Sequence, residues 1–301
     1  MSYQLSVKQL SKTSGLGFSR FFVGLILVTS ATVAWSTAGL FTRVIMMDSW
    51  TLLLWRGLFG GIAICLVLTI ADRKNLFYQL RTLGVSGWAF ALVSALGMVF
   101  FITALKETTV AHVSILYATV PLVTAAVAWV FIGEKPSRSA LIASVLSLLG
   151  VCLMMGFATD GTLHGDLLAI GMTLCLAVMM VISRSCPDVP VLPAACLSAF
   201  LSSAMALPFS DPMSTQADQW AWLIAFGVVN SALGLVLFIV GSRLLPAIET
   251  ALITALDAPL APIWVWLIFS ETPDWVTLMG GAIVFAAVAK YLLGGTTAGS
   301  E

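Results

Sequence analysis

"YATVPLVTAAVAWVFIGEKPSRSALI" at positions 117–142 and "TALDAPLAPIWVWLIFSETPDWVTLM" at 254–279 are two copies of one pattern. At a constant offset of 137 residues, Trp129 falls on Trp266, Glu134 on Glu271 and Pro136 on Pro273. Upstream in the same register, Lys106 falls on Arg243, Gly97 on Gly234 and Phe101 on Phe238. A gap-free match of this kind marks a duplication, so the fold is to be read as two related halves.

The composition says what medium those halves occupy. Hydrophobic residues make up 60% of the 301-residue chain and charged residues 9%, against about 25% charged in an ordinary soluble domain. A mean hydropathy of +1.05 over the whole length places the chain in the membrane class. Ten apolar stretches are long enough to cross a bilayer core of about 30 Å: roughly 21–45, 49–70, 88–105, 108–131, 138–156, 166–184, 189–207, 220–241, 246–269 and 274–294. The first is too long for a signal-peptide core and reads as a retained span. The connections are too short to hold a soluble domain, so function must lie inside the bundle.

Basic residues orient it. With the N-terminus in the cytoplasm, eleven of the fourteen Lys and Arg residues fall on that side (Lys8, Lys12, Arg20, Arg73, Lys74, Arg81, Lys135, Arg138, Arg184, Arg243, Lys290). Only Arg43 and Lys106 fall outside, and Arg56 lies within a span. This bias predicts that both termini are cytoplasmic. The organisation expected is an N-terminal tail at 1–20, a first five-helix repeat at 21–156, a second at 166–294 and a C-terminal tail at 295–301. Five is odd, so the halves must face opposite ways. Inverted repeats underlie many secondary transporters, whose substrate sites lie between the halves near mid-depth.

The stretch "PLVTAAVAWVFIGEKPS" and its copy ending "WLIFSETPDW" resemble the two EamA domains of the drug/metabolite transporter superfamily, a likeness that covers nearly the whole chain. Within that superfamily, "AWSTAGLFTR" at 34–43 resembles the first span of aromatic amino acid exporters. The likeness implies an all-α polytopic membrane protein of ten transmembrane helices around a central cavity, and amino acid efflux through the bacterial inner membrane. One departure stands out. Where the family often carries Glu-Pro, this chain has Asp257-Ala258, with the proline delayed to Pro259.

Asp257 is the residue hardest to explain structurally. It lies about eleven residues, or ~16 Å, into its span. A carboxylate at that depth costs about 3 kcal/mol on insertion scales, so it should face the bundle interior or water. Thr254, Asp257 and Trp264 recur at helical spacing with Thr250 and Ala261, forming a stripe suited to a cavity wall. Asp257 either handles substrate or a proton there, or only hydrogen-bonds a neighbouring helix. Arg56, about 10 Å into its span, either snorkels to the surface or binds a substrate carboxylate or an acid. Trp35 and Tyr117 are the other cavity candidates. Pro121, Pro259 and Pro262 remove backbone donors and kink their helices, as fixed bends or hinges. His112 and Glu249 are repeat-related and belong near opposite membrane faces, as interfacial residues or gates. Gly227, Asn230, Ser231 and Gly234 read as close helix packing or cavity lining. The two Glu-x-Pro motifs read as turn elements, with proline suited to the first turn of the following helix and the acid near that helix's positive end.

The residues argue against other classes. Five cysteines without a C-x-x-C pair suggest neither a disulfide framework nor a metal site. There is no H-E-x-x-H motif and no P-loop, and only two histidines, so an intramembrane enzyme is the weaker alternative. No cofactor or metal is expected, and zero net charge suggests no nucleic-acid partner. A zwitterion needs one group of each sign, which Arg56 with Asp257 could supply. Efflux of another small metabolite or drug is the competing transport reading.

Overall fold

The computed structural model describes residues 20–71, 83–156, 162–186, 189–270 and 272–297. Lys8, Lys12, Arg73, Lys74, Arg81 and Glu271 lie outside the described residues. Among the described residues ten helices are long and apolar enough to span a membrane, and no strand forms.

Span 1 is split into α1a (Arg20–Ser36) and α1b (Ala38–Val44) at Thr37; α2 (Ser49–Ala71) and α3 (Gly84–Glu107) follow. Span 4 is split into α4a (Val110–Tyr117) and α4b (Val120–Ile132), and α5 (Arg138–Met155) completes the first half. The second half contains α6 (Leu163–Ser185), α7 (Val191–Ala206) and a composite span 8. Span 8 consists of α8a (Trp220–Phe226), the π-helical α8b (Gly227–Gly234) and α8c (Leu235–Ser242). Span 9 is split into α9a (Ala247–Thr254) and α9b (Asp257–Phe269), and α10 (Trp275–Thr297) ends the bundle. The chain thus folds as two five-helix inverted repeats.

The 137-residue offset carries through to helix boundaries. α4a maps onto α9a and α4b onto α9b, end for end. Gly133 (φ 71°) and its mate Ser270 (φ 57°) cap these spans in the same left-handed conformation. Ser137 and its mate Asp274 each accept a backbone N–H three residues on, at 3.1 and 2.8 Å. Pro136 and Pro273 precede these capping residues rather than sitting inside the first turn. Glu134 also plays no capping part: it faces Glu249 across a small pocket.

Large apolar side chains cover the outside. Val130, Phe131 and Leu267 are 74%, 75% and 64% exposed. In water such a belt would drive aggregation; against lipid tails it is the matching surface. Inside, small residues allow backbones to approach. A Cβ on Gly227 would lie 2.9 Å from the Gly60 nitrogen and 3.0 Å from the Arg56 carbonyl oxygen, so α2 and α8b meet almost backbone to backbone.

Candidate functional site: a central cavity with two charges

One cavity of about 610 Å³ occupies the bundle, within the usual range of about 300–1,000 Å³ for small-molecule sites. Its wall draws on both halves, with Trp35, Arg56, Met98, Tyr117, Asn230 and Asp257 among its members. Lining residues run from mid-depth to the end of the bundle that holds Leu105, Thr272 and Pro273. That end is the mouth. The opposite end, which holds Lys135, Arg138, Arg184 and Arg243, contributes none of them.

Asp257 owes its position to the break in span 9. α9a stops at Thr254, and α9b starts at Asp257. The carboxylate therefore stands at a helix N-terminus in mid-membrane, where unpaired amides and the helix dipole favour negative charge. It opens on the cavity, deep in the molecule. Tyr117 lines the same cavity.

Arg56 is 8% exposed, so it does not snorkel. Its Nε donates to Ser231 Oγ at 3.0 Å, its Nη2 approaches Met98 Sδ at 3.0 Å, and its Cζ lies 5.4 Å from the Phe226 ring centroid. Among the described residues no carboxylate pairs with it. The π-helical turn sets this geometry. Asn230 Nδ2 donates to the carbonyls of Ala34 and Trp35, each at 3.2 Å, while Trp35 Nε1 donates to the Asn230 carbonyl at 3.1 Å. The next residue, Ser231, then meets Arg56.

The stripe expected along span 9 divides at the break. Thr254 is 1% exposed and donates to Ala251 O within α9a at 2.9 Å. Trp264 donates its indole N–H to Ser36 Oγ at 2.8 Å, tying α9b to α1a. Neither lines the cavity. An unbroken helix would have carried the spacing through; the turn at Ala255 and Leu256 rotates its two ends apart. Of the three prolines, Pro121 and Pro259 are buried in the first turns of α4b and α9b, and Pro262 lies inside α9b on the cavity wall. His112 and Glu249 lie outside the cavity at opposite ends of the bundle. His112 Nδ1 meets Asp166 Oδ1 at 3.0 Å near the mouth, and Tyr291 donates to Glu249 Oε1 at 3.2 Å near the basic end.

Sequence reasoning missed Ser94, Ser198 and the methionines Met98, Met155, Met172 and Met179 on the cavity wall. Ser198 donates to Ser94 across α7 and α3 at 2.7 Å. The repeat held the signal, because Ser94 is the mate of Ser231 and Met172 the mate of Trp35. No group of His, Cys, Asp or Glu among the described residues is arranged to hold a metal ion.

Ten spanning helices in inverted halves, enclosing a mid-depth cavity open at one end, define a membrane transporter. The comparisons agree. The EamA-like transporter family matches residues 22–156 and again 163–293, and the chain belongs to that family. An uncharacterized transporter of Archaeoglobus fulgidus is 28% identical over 263 residues, covering 87% of this chain and 93% of the relative. A solved crystal structure superposes with a TM-score of 0.78 at 17% identity, over 88% of this chain and 95% of the other. That likeness shows the fold.

Proposed function

We propose that the protein exports amino acids with aromatic or other apolar side chains across the bacterial inner membrane by alternating access. The observation that carries this reading is the cavity's pair of opposite charges. Arg56 would take the substrate carboxylate in a bidentate bond; Asp257, at its helix N-terminus, would take the ammonium. The mostly apolar remainder, rich in adaptable methionine, suits an apolar side chain. A buried arginine without an acidic partner is costly, and an anionic substrate group offsets that cost.

The repeat supports the transport cycle. α4b packs against α9a toward the basic end, while their mates α9b and α4a both line the open cavity. Exchanging the roles of the two halves would close the mouth and open the basic end, with hinges at Ala118–Thr119 and Ala255–Leu256. The excess of basic residues makes that end cytoplasmic, so the described conformation faces outward.

The test is uptake and efflux of a labelled amino acid panel in proteoliposomes, with and without a pH gradient. Transport of bulky apolar amino acids is expected, with Arg56→Lys and Asp257→Asn each reducing it at least tenfold. A gradient dependence lost in Asp257→Asn would make the proton a co-substrate. Failure across the panel, alongside transport of another small metabolite, would overturn the amino acid reading.

A further inference from the structure

A second cavity of about 180 Å³ lies at the basic end, lined by Glu134, Lys135, Ser137, Pro246, Glu249 and Tyr291 among others. It sits where α4b packs on α9a. Glu134 follows α4b and belongs to the first half; Glu249 is in the first turn of α9a and belongs to the second. Tyr291 on α10 satisfies Glu249 Oε1. Glu249 Oε2 and Glu134 Oε2 are both buried, with no hydrogen-bond partner among the described residues.

We infer that this pocket is a proton-operated latch: closing the basic end takes up a proton on Glu249, and loss of that proton lets the end open. Two buried carboxylate oxygens lining one pocket repel each other and have no donor among the described residues. A proton on Glu249 supplies the missing hydrogen and cancels the repulsion. Opening would instead hydrate both groups and make the ionised pair tolerable. Among the described residues, the groups acting on Glu249 are Tyr291 on α10, Glu134 after α4b and Arg184 on α6. Lys135 lines the pocket with its side chain exposed. Arg20, Arg138, Arg243 and Lys290 are further cations on elements packed around α9a or on α10. The repeat sharpens the contrast. His112, the mate of Glu249, has an acidic partner in Asp166 at the mouth, whereas Glu249 faces a like charge. The inference is independent of the substrate.

Infrared difference spectroscopy of the full chain in lipid, in an Asp257→Asn background, reads the proton directly. A protonated-carboxyl band that decreases as pH rises is expected, and Glu249→Gln should remove it. Spin labels at Lys135→Cys and Leu244→Cys, in a chain whose native cysteines are replaced by serine, read the conformation. Their separation should lengthen as pH rises, stay short at every pH in Glu249→Gln, and lengthen less in Glu134→Gln. The infrared arm uses the native cysteines, so it stands even if the labelled chain misfolds. A band that persists in Glu249→Gln, or a label distance indifferent to pH, would overturn the latch.

Discussion

The two halves share a scaffold and differ where the chemistry is. Spans 4 and 9 break at the same register, and their C-caps and the N-caps after them correspond residue for residue. Yet Asp257 has Val120 as its mate, and Arg56 has Pro193. Span 1 is interrupted at Thr37 where α6 runs unbroken, and span 8 is π-helical over Gly227–Gly234 where α3 is regular. Shared positions thus carry backbone geometry, while unshared ones carry charge and the irregular turns that aim it. Each half contributes one of the two charges on the cavity wall.

The sharpest way to break that asymmetry is to make the mates alike. Asp257→Val gives the second half the residue of the first. It should reduce amino acid flux at least tenfold in proteoliposomes while leaving the purified protein monodisperse, since a buried charge is replaced by a packed methyl pair. Flux near the wild-type level would remove Asp257 from the site.

Gly227 against its mate Phe90 tests the π-helical turn. Phe90 is 1% exposed in a regular helix, whereas Gly227 has no room for a Cβ against α2. Gly227→Ala should destabilise by about 1–3 kcal/mol, lowering the unfolding temperature in detergent. It should also weaken transport by shifting Ser231 away from Arg56. An unchanged melt would show that α2 and α8b are less tightly apposed.

The left-handed caps make a smaller comparison. Ser270→Gly, removing a Cβ where φ is 57°, should stabilise by up to about 1 kcal/mol; Gly133→Ser should cost a similar amount. Opposite shifts in the thermal melt are expected, and shifts of the same sign would contradict the shared geometry.

The N-caps give the smallest effect. Asp274 is held below the usual carboxylate range by hydrogen bonds from the Thr277 side chain and backbone; its mate Ser137 does not titrate. A depressed pKa means that the cap's support is present above the unfolded value and lost as pH falls through the folded one. Backbone exchange at the start of α10 should therefore speed up relative to the start of α5 in acid. Asp274→Ser should abolish that difference.

Much of this was legible in the sequence. Ten spans follow from hydropathy, because lipid admits only segments that satisfy their own backbone. The inverted repeat follows from a constant offset over an odd number of spans. Asp257 follows from the cost of a carboxylate at mid-depth. Trp264 and Thr254 were misplaced because helical spacing assumes an unbroken helix, and only the fold reveals the turn at Ala255 and Leu256. Ser94 and the cavity methionines were missed because such residues are ordinary in any apolar helix until neighbours leave a space beside them.

The sequence by itself therefore determined the medium, the number of spans, the duplication and the anomalous charge, all consequences of local chemistry and repetition. Only the tertiary structure decided which end is open, that Arg56 is turned inward with no acidic partner among the described residues, and that Glu134 and Glu249 share a pocket. Each of these depends on contacts between segments far apart in the chain, where burial and pairing are set by the packing of whole helices.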